Sequence, residues 1–172
     1  KEDILSADKI VLPGVGSFGK AMNNLKELGL IEVLNKAVVE NKVPVLGICL
    51  GMQLMSSFSE EGEAEGLNWI PGKVKKIQVK DSIRYKVPHS GWNKVKVAKQ
   101  HPIFDGISEN EEFYFVHSFY YSPENSSHTL GTSVYENEFC CAVIKENIVG
   151  VQFHPEKSHD QGSRLIKNFI EL

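Results

Sequence analysis

Val43-Pro44-Val45-Leu46-Gly47-Ile48-Cys49-Leu50-Gly51 is the stretch on which the reading of the fold turns. Residues 43–48 are apolar on both faces of an extended chain, where successive side chains point opposite ways, so the run predicts a strand covered on two sides. Strands of that kind lie inside parallel sheets with helices packed on each face. Helical character resumes over residues 50–58, directly after Cys49, which predicts strand, sharp turn and helix in that order.

The segments on either side repeat this alternation. Residues 9–12 form a short β-type run stopped by Pro13-Gly14-Val15-Gly16, and Met22, Leu25 and Leu28 give residues 18–28 helical spacing. Residues 30–39 again carry apolar positions at helical spacing, whereas the acidic, glycine-bearing residues 59–66 read as a surface loop. Polar and apolar residues alternate over 73–79, 93–97, 129–135 and 139–144, which predicts antiparallel strands with one wet face. Residues 148–153 read as a second mostly buried strand, and 164–172 as an amphipathic helix with Leu165, Ile166, Phe169 and Ile170 inward. An α/β layered fold is expected, with a central, mostly parallel sheet flanked by helices and an added antiparallel sheet. The 172 residues show no repeat or linker, so one domain over residues 1–172 with one hydrophobic core is expected.

Composition narrows the function classes. Hydrophobic residues at 41% and charged residues at 24% suit a globular chain rather than a disordered one. A formal charge of -3 supplies no broad positive field, so nucleic acid is not an expected partner. No apolar run approaches the roughly 20 residues of a membrane-spanning helix, and no signal peptide opens the chain, which makes the cytoplasm the expected compartment and excludes a membrane partner. Three cysteines, Cys49, Cys140 and Cys141, are an odd number, and the adjacent pair in a strand would face opposite ways, so no disulfide framework is expected. The histidines lack metal-ligand spacing and no second cysteine lies two or four residues from Cys49; neither a metal nor another cofactor is expected. Lys73 to Lys80 is basic at alternate positions, as a solvated strand face would be.

Two constellations carry chemistry. Gly47-Ile48-Cys49-Leu50-Gly51 is a cysteine version of the G-x-S-x-G elbow, in which a nucleophile stands on a tight strand-to-helix turn. Glycines are needed because neighbours with side chains would collide, and the helix N-terminus behind Cys49 is expected to favour a thiolate. The Leu50 N–H would face a developing oxyanion. By itself such a cysteine is more often a small buried apolar residue. The second constellation, His154-Pro155-Glu156, closes the buried run 148–153. Residues two apart in extended backbone share a side, so Glu156 can orient the His154 ring. Both constellations fall at the C-terminal ends of buried strands, where catalytic groups of parallel α/β sheets collect. Together they supply nucleophile, base and orienting carboxylate.

With Pro13-Gly14-Val15-Gly16 these motifs resemble the class I glutamine amidotransferases, a flavodoxin-like family whose glutaminase domain carries a Cys-His-Glu triad. The likeness covers nearly the whole chain. Within the family, Leu12-Pro13-Gly14-Val15-Gly16-Ser17-Phe18, Gly47-Ile48-Cys49-Leu50-Gly51-Met52-Gln53, Pro88-His89-Ser90-Gly91-Trp92-Asn93 and Phe153-His154-Pro155-Glu156-Lys157-Ser158 look like the branch of glutaminase subunits that serve imidazole glycerol phosphate synthases. That resemblance implies a heterodimer passing ammonia to a (β/α)8-barrel synthase subunit, which makes imidazole glycerol phosphate and an aminoimidazole carboxamide ribotide in histidine biosynthesis. It implies Cys49, His154 and Glu156 as the triad and Val15, Gly16 and Leu50 around the oxyanion. It also implies glutamine contacts at Gly14, Gln53, Glu61, Ser118 and Phe119, and Trp92 and Tyr114 at the partner-facing channel mouth. The Val15 peptide is expected to turn inward when a liganded synthase docks. The family opens with a strand, a helix and a second strand, whereas residues 4–9 read like the tail of a helix already under way, so a truncated chain lacking an N-terminal βα unit is expected. Other readings are a paralogous glutaminase feeding a sugar-amidating synthase, a noncatalytic interaction subunit, and a cysteine peptidase of similar fold.

Overall fold

The doubly apolar run becomes the middle of a parallel block. In a computed structural model that describes residues 1–109 and 111–172, the strands are β1 (Ile10–Leu12), β2 (Val45–Ile48), β3 (Phe58–Ser59), β4 (Ala64–Glu65), β5 (Gly72–Lys76), β6 (His89–Lys94), β7 (Lys96–Val97), β8 (Glu112–His117), β9 (Phe119–Pro123), β10 (Thr129–Tyr135), β11 (Asn137–Lys145) and β12 (Ile148–Val151). The helices are α1 (Glu2–Leu5), α2 (Phe18–Glu27), α3 (Ile31–Asn35), α4 (Leu50–Leu54) and α5 (His159–Glu171). Val45 pairs in parallel with Ile10 on one side and Ile148 on the other. From β12 the same sheet continues antiparallel through β11, β9 and β5, and then turns parallel again to β3. The antiparallel addition is thus hydrogen-bonded into the parallel block, while β6 and β8 form a separate two-stranded sheet.

Strand alternation divides the apolar interior into two clusters. Leu46, Val149 and Ile144 meet Leu165 and Phe169 of α5, whereas Val45, Ile148 and Val143 meet Phe18, Leu34, Val38 and Leu50. Cys140 belongs to the second cluster and Cys141 to the first, the opposed placement that neighbouring strand residues require. All three cysteines are free. Among the described residues no helix is long and apolar enough to cross a membrane.

Several details depart from the sequence reading; residues 139–144 of β11, expected to keep one wet face, are buried on both. Helix α4 stops at Leu54 rather than near Phe58, because Leu67 N–H and Trp69 N–H take the Leu54 and Met55 carbonyls at 2.8 and 2.9 Å. The stretch read as a surface loop forms β3 and β4 instead; β3 extends the sheet by pairing with β5, and Ser59 is buried. Helix α5 begins at His159, and Gly162, Leu165, Asn168 and Phe169 form its buried face, leaving Ile170 exposed. Asn168 fills the inward position with its amide satisfied, donating to the Ile103 and Asp105 carbonyls at 3.0 and 2.8 Å.

Candidate active site

The junction of β2 and α4 is built around close approach. A Cβ on Gly51 would lie 1.7 Å from the Leu12 carbonyl oxygen, and one on Gly47 would lie 2.6 Å from Met55 Cε and 2.8 Å from the Gly51 carbonyl carbon. Only glycine lets the first turn of α4 settle on the ends of β1 and β2. Between them Cys49 takes φ 53° and ψ -108°, a backbone state that costs a non-glycine residue about 1–3 kcal/mol. Its N–H donates to the Val151 carbonyl at 2.8 Å, so the strained residue is held by the neighbouring strand.

Past Val151 that strand's ladder ends, but Gln152, Phe153 and His154 stay buried. His154 N–H donates to the Tyr114 carbonyl at 2.8 Å, and its Nδ1 lies 2.7 Å from Glu156 Oε1. A carboxylate accepts, so Nδ1 carries the proton and a neutral ring has its lone pair on Nε2. That Nε2 is buried and has no hydrogen-bond partner among the described residues. Glu156 remains half-exposed.

Cys49 and His154 line one cavity of about 340 Å³ together with Val15, Gly16, Leu50, Gln53, Glu61, Pro88, Val116, His117, Ser118, Phe119 and Lys157. Burial pushes the Cys49 thiol up to about 11, outweighing the opposing hydrogen bonds from the Leu50 backbone and the Gln152 side chain. The expected resting thiolate is therefore not what this site favours: the end of a five-residue helix does not offset removal of the sulfur from water. Proton removal must come from a base. The sulfur lies 3.6 Å from Gln152 Nε2 and 4.0 Å from the Val116 carbonyl.

The remaining expected site residues fall in three places. Val15 stands at the cavity rim, 85% exposed, with Gly16 beside it at φ +100°, and Gly14 packs against Leu50 rather than lining the cavity. Glu61 lines the cavity while its Oε2 accepts the Phe18 N–H at 2.9 Å. The carbonyls of Ser118 and Phe119 are engaged, the first by Ile77 N–H and the second by Gln53 and His117. Trp92 and Tyr114 lie outside this cavity in an aromatic group, Trp92 stacked on His159 at 4.8 Å and edge-on to Tyr114 at 5.8 Å.

Gln152, His117 and Lys157 were missed as contributors. The signal for the first was present, since Gln152 is the one polar side chain in the apolar run 148–153. A second cavity of the same volume, lined by Glu60, Lys75, Tyr135 and Glu138 among others, has no cysteine, serine or histidine among its described lining residues.

Comparison with known proteins identifies the family and the fold. A sequence model described as glutamine amidotransferase class-I matches residues 2–172. Imidazole glycerol phosphate synthase subunit HisH 2 of Methanococcus maripaludis is 54% identical over 170 residues, covering 99% of this chain and 83% of that protein. The HisH subunit of Bdellovibrio bacteriovorus is 45% identical over 172 residues, covering 99% and 84%. Among solved structures, one described as a glutamine amidotransferase superimposes with a TM-score of 0.74 at 17% identity, covering 99% of this chain and 81% of that one. A putative GMP synthase protein from Thermoplasma acidophilum gives 0.69 at 22% identity, covering 99% and 74%.

Proposed function

The chain belongs to the class I glutamine amidotransferase family, and from that premise we propose that it hydrolyses glutamine to glutamate and ammonia at Cys49. The observation that carries the proposal is the buried, unpartnered Nε2 of His154, its other nitrogen held by Glu156, in the same cavity as Cys49 on its strained elbow. His154 takes the thiol proton as sulfur attacks the side-chain amide carbon of glutamine. The oxyanion develops toward the Leu50 N–H and a second N–H from the Val15-Gly16 loop. His154 then returns the proton to the departing nitrogen as the C–N bond breaks, releasing ammonia and leaving a γ-glutamyl thioester. Water, deprotonated by the same ring, attacks the thioester; glutamate leaves and the thiol is restored. Gln53 and Glu61 hold the substrate within the cavity.

The relatives' names make them subunits of imidazole glycerol phosphate synthase, which supports ammonia delivery to a synthase subunit. We take that partner to be a (β/α)8 barrel in a heterodimer, docked over Trp92 and Tyr114, with residues 1–172 acting as one glutaminase domain in the cytoplasm. Glutamate release from glutamine, assayed with a barrel synthase and its nucleotide ligand, tests this: activity must vanish in Cys49→Ala. A folded wild-type chain that releases no glutamate in that mixture removes the reading.

A further inference from the structure

A run of polar groups, most of them buried, extends from the lining of the cavity into the β6–β8 pair. His89 and His117 face each other across the β6–β8 pair, 3% and 6% exposed. His117 Nδ1 lies 2.7 Å from the Phe119 carbonyl oxygen, which only accepts, so Nδ1 carries the proton and Nε2 the lone pair. That lone pair lies 3.0 Å from His89 Nδ1, which must be the donor. His89 Nε2 is then an acceptor, met by Asn93 Nδ2 at 3.3 Å, and the same Asn93 Nδ2 donates to the Val134 carbonyl at 2.9 Å. On the far side of Phe119, Gln53 Nε2 lies 3.1 Å from the Phe119 oxygen and 3.0 Å from Gln152 Oε1. Both of its hydrogens are therefore occupied, and Gln53 Oε1 is the acceptor end of its amide. With Gln152 Oε1 taken by Gln53, the end of Gln152 that meets Cys49 Sγ at 3.6 Å is the N–H donor.

We propose that these contacts set the polarity of the site: Gln152 donates to the Cys49 sulfur and stabilises the thiolate once its proton has left, and His117 is the positioning residue that holds in place the Phe119 carbonyl on which Gln53, and through it Gln152, is oriented. The proposal rests on the reading of Cys49 as nucleophile. It supplies what burial removes, since the sulfur sits in a site that otherwise disfavours its charge. Reversing either glutamine amide would set acceptor against acceptor at the Phe119 carbonyl or donor against donor between Gln53 and Gln152, so the fixed acceptor at Phe119 settles the sense from there to the sulfur. Burial holds both histidines neutral, His89 down to about 4 and His117 to about 3, which keeps the Nε2 lone pair of His117 available through the neutral range. The other groups facing the sulfur are His154, Glu156 and Lys157 from the turn after β12, and the Val116 carbonyl of β8.

The test is the pH profile of Cys49 alkylation by iodoacetamide in the full chain, with the site located by peptide mass and folding checked by thermal melting. Gln152→Leu should lower the rate about tenfold at any pH below the thiol's midpoint, equivalent to raising that midpoint by about one pH unit. Gln152→Glu, nearly isosteric and retaining the contact to Gln53, should lower it further, and it is decisive if the leucine variant fails to fold. His117→Phe should lower the rate less, and His117→Asn, whose amide N–H stands near the Nδ1 position, should restore it. Wild-type profiles in folded Gln152→Leu or Gln152→Glu overturn the donor role, and a wild-type profile in folded His117→Phe overturns the positioning role. Glutamate release with the synthase is scored separately: shifted alkylation without turnover in the wild type leaves the polarity chain standing and removes the glutaminase reading.

Discussion

Cys49 and Val151 share a backbone hydrogen bond of 2.8 Å, from the cysteine N–H to the valine carbonyl. It continues the parallel β2–β12 pairing by one residue and fixes the elbow to the strand that, three residues later, delivers His154. The placing of the proposed nucleophile against the proposed base is thus a property of sheet register. Strain at Cys49 and close contact at Gly51 are the local costs of that placement.

The strain at Cys49 makes a reversed order of stabilities the expected result. Alanine ordinarily exceeds glycine because glycine has more freedom to lose on folding. At φ 53°, ψ -108° the order should invert, with Cys49→Gly more stable than Cys49→Ala by about 1–2 kcal/mol while both lack glutaminase activity. Urea unfolding of the two variants decides it, and equal midpoints would show that the elbow stores no strain.

Gly51→Ala should be among the most damaging single-methyl additions in the chain. Its Cβ would enter the Leu12 carbonyl oxygen at 1.7 Å, and backbone on both sides must move. A loss of about 3 kcal/mol or more is expected, read as a lowered melting temperature with activity lost in parallel. A variant that melts like wild type would mean the β1–α4 contact is looser than described.

Glu156→Gln keeps the shape of the His154 contact but no longer requires Nδ1 to be the donor. The ring can then present its proton, rather than its lone pair, to the cavity. The expected loss is about 100-fold or more in kcat for glutamate release, with KM little changed. A large rise in KM at constant kcat would instead place Glu156 in substrate binding.

Acid should destabilise the fold through His89 and His117. Their ordinary value lies near 6.5 and burial lowers it to about 4 and about 3 in the folded chain. Between those limits the unfolded chain binds protons that the folded chain does not, so stability falls as pH drops below about 6.5 and the loss levels off below the folded values. The effect is on the order of a few kcal/mol in total, and His117→Phe should flatten the slope of unfolding free energy against pH in that window. An unchanged slope would assign the acid sensitivity to other groups.

Val15 stands 85% exposed on a loop at the cavity rim, next to Gly16 at φ +100°. The proposed second oxyanion donor belongs to this loop, so a docked synthase subunit can alter the peptide's orientation. Glutamate release should be slow for the chain alone and faster with the liganded synthase. Equal rates in the two cases would remove loop reorientation as a means of control.

How much was legible in the sequence follows from how local each signal is. The apolar run 43–48 and the glycines around Cys49 are written within a few residues, because side-chain alternation and steric room are short-range properties; His154 and Glu156 are also close in sequence, but they meet across the 3-10 turn Pro155–Lys157 rather than along an extended strand. They were sufficient for an α/β layered fold and for the groups that carry the proposed chemistry. The extent of α4 was not, because its end is set where the N–H groups of residues 67 and 69 capture the Leu54 and Met55 carbonyls. Nor was the inward place of Asn168, which depends on the Ile103 and Asp105 carbonyls across a packed interface. The polarity chain lies furthest from sequence: Gln53 meets Phe119 across 66 residues, Gln152 across 99, and Gln152 meets Cys49 across 103. Composition and periodicity therefore determined which surfaces of this chain had to be buried and where a nucleophile and a base could stand. Only the tertiary structure decided which buried polar atoms face one another, since hydrogen-bond direction is settled by sheet register and by the acceptors that other strands bring within reach.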